Sequence, residues 1–245
     1  MAIKVDEHTK VIETGGDYRQ VNPLGYVPAL VLDDGTLLTE GAAIVQYIAD
    51  QVPSKNLAPP NGTIERTKLQ AWLNFFSSEM HKGGFSPLFY KGVPEEGKDV
   101  FRKRLVARYS HLNEHLKNNE YLMGRAYSFA NAHFFVVSSW ANWVNFDLSP
   151  YANVVSHCKR ISVRTAVRAA PGGRGSYSLA QLSAVTDQIW SGSIPDDRRR
   201  FDRLTVFTMS GRLQSPLARS KREREVAALV GGALFPPRHN SGRLW

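Results

Sequence analysis

The sequence predicts a small α/β unit followed by an all-helical unit, with an irregular basic stretch behind them. Three observations carry this. An Asp33-Asp34-Gly35 turn lies between apolar runs at 27–32 and 36–39, and a helical pattern follows at once. Three prolines, Pro53, Pro59 and Pro60, then interrupt the chain. From Thr63 onward apolar residues recur at the 3.6-residue spacing of amphipathic helices.

The elements follow in order. Residues 2–6 read as a short strand, and Gly15-Gly16-Asp17 as a break before a turn or short helix at Tyr18. Asn22-Pro23-Leu24-Gly25 is turn chemistry. The Asp-Gly dipeptide between apolar runs is a strong local hairpin signal. Residues 40–50 read as a helix with Ile44, Tyr47 and Ile48 on one face, ended by Pro53. Ile64, Leu69, Trp72, Leu73, Phe76 and Met80 define the first long helix. A second fits 94–118, with Phe101, Leu105, Tyr109, Leu112 and Leu116 inward. A third begins at Ser128 and is apolar nearly all round, as a buried central helix is. A fourth spans about 152–170. The expected division is 1–52, a linker at 53–61, helices over 62–170, and a basic, disordered tail at 171–245. A helix near 219–230 is the one packed element expected in that tail.

Composition narrows the classes. A 245-residue chain with 42% hydrophobic residues can bury a sizeable core. There is no apolar run of 18 residues and no apolar stretch at the N-terminus, so neither a membrane span nor a signal peptide is expected. The single cysteine, Cys158, excludes an intramolecular disulfide, and its apolar neighbours Val154, Val155 and Ile161 mark it as a small buried hydrophobe. The expectation is a soluble cytoplasmic protein. The net charge of +9 is uneven: residues 1–170 carry 19 Lys/Arg against 16 Asp/Glu, whereas 171–245 carry 12 against 6, with eleven of those twelve cations arginine. A basic tail can neutralise phosphates. This one lacks interleaved aromatic stacking positions and any known binding motif, so nucleic acid is not expected as a partner.

Several blocks resemble the glutathione S-transferase family, most closely its bacterial beta class. They are Asn22-Pro23-Leu24-Gly25-Tyr26-Val27-Pro28-Ala29-Leu30, Leu37-Leu38-Thr39-Glu40-Gly41-Ala42-Ala43-Ile44, Trp72-Leu73-Asn74-Phe75, Glu79-Met80-His81-Lys82-Gly83, and Tyr121-Leu122-Met123-Gly124 followed by Ser128-Phe129-Ala130-Asn131-Ala132. Their order and spacing over 1–170 are specific; any one alone is weak. The resemblance implies a thioredoxin-like N-terminal domain, here partial, and a helical C-terminal domain. Glutathione would lie on the first and an electrophile in the cleft.

The resemblance also implies the site. Val27-Pro28 matches a cis-proline step whose free backbone groups pair with the cysteinyl part of glutathione, as an added strand would. Glu40 matches the acid that pairs with the γ-glutamyl amine. Gly41 opens a helix whose N–H groups favour the γ-glutamyl carboxylate; many members carry a serine there, so one hydroxyl contact is lost. Asn74, His81 and Lys82 match residues lining the cleft, with Asn74, Ser78 and His81 expected on one helical stripe. His81 would donate to the thiolate and Lys82 would favour it by its charge. Lys10 matches a glutathione-contacting lysine. Ser128 and Asn131 match a capping box whose acid has become an amide, implying a loss on the order of 1 kcal/mol.

Two departures qualify the resemblance. In the family a strand and a helix precede the segment matching 1–20, and the turn between them carries the Cys, Ser or Tyr that activates the thiol. This sequence begins later, so the strand at 2–6 is expected to lack a neighbour and activity to be weak. After Ala170 the Arg/Gly/Pro/Ser-rich composition is foreign to the family and reads like an out-of-frame extension. The function implied is glutathione conjugation to hydrophobic electrophiles by a homodimer, with glutathione as co-substrate and no metal. The alternative is a non-catalytic glutathione-binding or protein-interaction module on the same fold.

Overall fold

The Asp33-Asp34-Gly35 turn folds as the hairpin its chemistry demands. Strands β2 (Ala29–Val31) and β3 (Leu37–Thr39) pair antiparallel in the register Ala29↔Thr39, Leu30↔Leu38 and Val31↔Leu37. Gly35 takes φ +84°, a region closed to most side chains. Strand β1 (Ala2–Val5) lies in the same sheet, and Tyr18–Gln20 forms one 3₁₀ turn capped by the Asp17 carboxylate on the Arg19 N–H. This computed structural model describes residues 2–6, 9–169 and 204–208.

The sheet corrects two expectations. A fourth strand, β4 (Leu204–Thr208), comes from the basic tail, and the strand order is β1-β4-β2-β3. It pairs antiparallel with β1 from Ala2↔Phe207 to Val5↔Leu204, and parallel with β2 at Leu30↔Phe207 and Val31↔Thr208. So β1 does not lack a neighbour, and the tail is not irregular throughout. The physical reason is that exposed backbone donors and acceptors of β1 and β2 need partners. Leu204-Thr-Val-Phe-Thr208 is rich in β-branched and aromatic residues suited to supply them. The rest of 171–245, including the helix expected near 219–230, lies outside the described residues.

Helix α1 (Gly41–Asp50) buries two faces. Ile44 and Ile48 pack on Leu30 of the sheet, whereas Val45 and Ala49 enter the helical core. An ion-pair clamp joins α1 to α2 (Ile64–Asn74) across the proline-rich connection. Arg66, 2% exposed, donates to both Asp50 carboxylate oxygens at 2.8 and 2.7 Å and to the Pro59 carbonyl at 2.8 Å. That pairing holds the Asp50 carboxyl below its usual range.

Beyond Asn74 the helix widens. The segment Phe75–Phe85 is π-helical, where a continuous 3.6-residue period was expected. Buried positions now fall at Phe76, Met80, Gly84 and Phe85. Residues past Phe75 are rotated relative to an α-helical register, so the stripe of Asn74, Ser78 and His81 does not persist: Asn74 and Ser78 are exposed, while His81 turns inward. Gly84 permits close packing on the next long helix, since a Cβ there would stand 2.6 Å from Leu105 Cδ2. Ile64, which opens the apolar period of this helix, is 62% exposed.

After α3 (Ser86–Phe89), helix α4 (Glu95–Lys117) buries Leu105, Tyr109, Leu112 and Leu116 as expected. Helix α5 (Phe129–Ser139) is buried along its whole length and ends in a 3₁₀ turn, Trp140–Val144. The fourth expected helix is two, α6 (Ala152–Ser162) and α7 (Thr165–Ala169). Cys158 is buried on α6, and desolvation pushes its thiol up to about 12.

The capping-box reading is corrected as well. The Ser128 side chain caps no helix N–H. Asn131 is a fully buried hub: its Oδ1 accepts from the Leu122 N–H and from His157 Nε2, both at 2.9 Å, and its Nδ2 donates to the Ser128 carbonyl and hydroxyl. An amide suits this role because it both donates and accepts, which a carboxylate does not.

Candidate functional site

The site forms at one end of the β2–β3 hairpin. Because Ala29 faces Thr39, the next residues outward, Pro28 and Glu40, flank the same end of the sheet. The Val27–Pro28 peptide is cis. Its approach is anchored from behind: the Tyr26 carbonyl accepts from the Tyr18 hydroxyl at 2.9 Å and from Asn22 Nδ2 at 2.7 Å. Both donors are buried. The Val27 backbone is thereby held at the rim of the sheet.

Glu40 precedes α1 with φ 64° and ψ 110°, an unusual conformation for a residue with a side chain. Its carbonyl accepts from the Ala43 and Ile44 N–H groups, but its carboxylate makes no cap. The side chain is exposed and left for another partner. Gly41 and Ala42 open α1, and the first N–H groups of a helix have no partner within it. A carboxylate and a helix N-terminus thus sit side by side, suited to a ligand with an ammonium and a carboxylate on one carbon.

Lys10 packs against the turn that leads to Val27. Its backbone takes φ 60°, and its Cε would stand 3.3 Å from a Cβ on Gly25, in the turn leading to Tyr26. Glycine at Gly25 (φ +64°) leaves room for the lysine stem.

The helical side supplies His81 and Lys82. The His81 ring lies 4.8 Å from Trp140 in an edge arrangement. Burial first, and then the Lys82 charge, lower its pKa to about 4. The imidazole is therefore neutral near pH 7 and can donate one N–H bond. The Lys82 ammonium lies 5.6 Å from the centre of the Tyr26 ring. Asn74 stands exposed at the end of α2, its carbonyl taken by the Ser78 hydroxyl, and among the described residues no side-chain contact ties it to the others. The structure thus brings together Val27, Pro28, Glu40 and Gly41 at one end of the hairpin, with Lys10 against Gly25 in the turn before Val27. The pair His81–Lys82 joins them through Tyr26.

Comparison with known proteins decides the family. The model for the glutathione S-transferase N-terminal domain matches residues 2–51. The glutathione S-transferase GstA of Escherichia coli O157:H7 is 42% identical over 173 residues, covering 71% of this chain and 86% of that one. The chain belongs to the glutathione S-transferase family. Two solved structures agree. BphK, a bacterial transferase solved as a ternary complex, is 48% identical with a TM-score of 0.65, over 66% of this chain and 81% of that one. The beta-class transferase of Sphingomonas chungbukensis is 42% identical with a TM-score of 0.63, over 66% and 80%. This transferase-family chain thus has a thioredoxin-like N-terminal part and a helical C-terminal part, most like the bacterial beta class.

Sequence reasoning did not reach Tyr26 as a site residue, nor the Arg66 clamp. Tyr26 stood within a quoted block, but a lone exposed tyrosine carries no signal until Lys82 is seen over its ring. Arg66 is the third residue of a charged helix start, where solvation is the ordinary expectation.

Proposed function

We propose that this chain binds glutathione along Val27 and Glu40 and conjugates it to hydrophobic, electrophilic small molecules. The observation that carries the reading is the hairpin register: it sets the Val27 backbone and the Glu40 carboxylate at one sheet end, beside the N-terminus of α1. Val27 N–H and C=O pair with the cysteinyl unit as an edge strand would. Glu40 takes the γ-glutamyl amine, the Gly41 N–H its carboxylate, and Lys10 supplies a cation for a glutathione carboxylate. Asn74 lines the cleft on the helical side.

In the reaction the glutathione thiol loses its proton to solvent, and its sulfur forms a C–S bond as a leaving group such as halide departs. Neutral His81 donates to the thiolate, and the Lys82 ammonium favours it electrostatically. The same reading makes the chain a cytoplasmic, homodimeric detoxification enzyme with 1–52 as the glutathione unit and 62–170 as the helical unit, supported by the family resemblance.

Glutathione-agarose retention of the full chain, with turnover of a chloronitrobenzene on the eluate, tests this. Retention that falls in Glu40→Gln is expected. Soluble, folded protein that is not retained would sink the binding site. Retention without turnover would leave a glutathione-binding module instead of an enzyme.

A further inference from the structure

We propose that Tyr26 is a positioning residue: its ring holds the Lys82 ammonium at the glutathione side of the cleft, so that the lysine charge acts on the thiol. The inference rests on the assignment of Lys82 to that thiol and adds the group that controls it.

An exposed lysine ordinarily sweeps a wide volume, and freezing its four-carbon stem costs rotamer entropy. A charge that sweeps is mostly spent on solvent. Lys82 is exposed, yet its Nζ lies 5.6 Å from the Tyr26 ring centre, within cation–π reach. The ring can act as an anchor because its own backbone is fixed. Two buried donors, the Tyr18 hydroxyl and Asn22 Nδ2, take the Tyr26 carbonyl, and Gly25 with the Lys10 stem supports the preceding bend. Tyr26 is 63% exposed, so its outward ring is not there to fill the core. It also directly precedes Val27, whose backbone is assigned to the cysteinyl unit. One residue thus ties the helical cation to the strand that holds the sulfur-bearing residue. The Lys82 charge also acts on the neighbouring His81, the second group assigned to the thiol.

The test uses the full chain with Tyr26→Phe, which keeps the aromatic face, and Tyr26→Leu, which removes it. Without ligand, the Lys82 ε-methylene protons should show an upfield ring-current shift in proton NMR, kept in Tyr26→Phe and lost in Tyr26→Leu. With glutathione, the ultraviolet absorbance of the bound thiolate should titrate at higher pH in Tyr26→Leu. The thiolate fraction should fall about two- to five-fold below the midpoint. Tyr26→Phe should stay within about two-fold of the parent, since most of the cation–π attraction remains. In a Lys82→Gln background, Tyr26→Leu should cause no further change.

No ring-current shift, or a Tyr26→Leu effect that persists unchanged without Lys82, overturns the inference while leaving glutathione binding in place. A ring-current shift in a chain that binds no glutathione instead brings down the functional assignment, and the inference with it.

Discussion

Acidification from pH 7 to pH 5 should destabilise this chain by about 4 kcal/mol through two buried histidines, His133 and His157. Both sit in the helical core, 2% and 1% exposed. Burial first, with like charge from His81 and Arg160 respectively, lowers each pKa to about 3. His157 donates through Nε2 to Asn131, which leaves Nδ1 without a partner; His133 Nε2 has none either. A proton added at either atom would meet no acceptor. The sign follows from proton counting: the unfolded chain binds protons at about pH 6.5, whereas the folded one resists until about pH 3. Stability is therefore full above pH 6.5 and falls as pH drops, at about 1.4 kcal/mol per unit per histidine. Integrated from pH 7 to pH 5, each contributes about 2 kcal/mol. His81 adds to this in the same direction. Urea midpoints at pH 7, 6 and 5 measure the loss. In His133→Phe, whose new ring can keep the stacking on Phe76 seen at 6.0 Å, the slope should shrink by the share of one histidine. Equal stability at pH 5 and pH 7, or an undiminished slope in the variant, would refute the reasoning.

Three further outcomes are expected. Arg66→Ala should cost about 1–2 kcal/mol in urea unfolding, because it removes the donors to Asp50 and to the Pro59 carbonyl, while Asp50, partly exposed, keeps its bond from Asn61; Arg66→Lys should recover little, since an ammonium cannot span both carboxylate oxygens as the fork does. Asn131→Leu should cost at least about 2 kcal/mol by leaving the Leu122 N–H and His157 Nε2 buried without an acceptor, and a crystal or NMR structure would show the 121–128 segment displaced. Cys158 should react with an aromatic disulfide reagent only as fast as the chain opens, because burial removes both access and thiolate, so its labelling rate should rise with urea in step with unfolding.

Much of the fold, and the placement of two of the candidate site residues, was legible for local reasons. The Asp34-Gly35 turn and its flanking apolar runs define the hairpin, and with it the pairing that sets Pro28 beside Glu40. The apolar α5 announced its own burial. What failed did so where long-range packing overrides a local period. The π-helical segment could not be read from spacing, because Leu69, Trp72, Phe76 and Met80 satisfy both an α and a wider helix. The wider helix goes with a close approach of Gly84 to Leu105, some twenty residues away in sequence. Asn131 fitted a capping box by position, yet its partners come from Leu122 and from His157 on another helix.

By itself the sequence determined the hairpin and the helix order, since these depend on turn chemistry and periodicity, and its motif blocks pointed to the family. Only the tertiary structure decided that β4 lies between β1 and β2, that Arg66 joins α1 to α2, that His81 turns toward Trp140, and that Tyr26 faces Lys82. Each of those is a pairing between residues far apart in the chain. It is set by which buried donor, charge or ring must find a partner once the helices pack, and no local pattern encodes that choice.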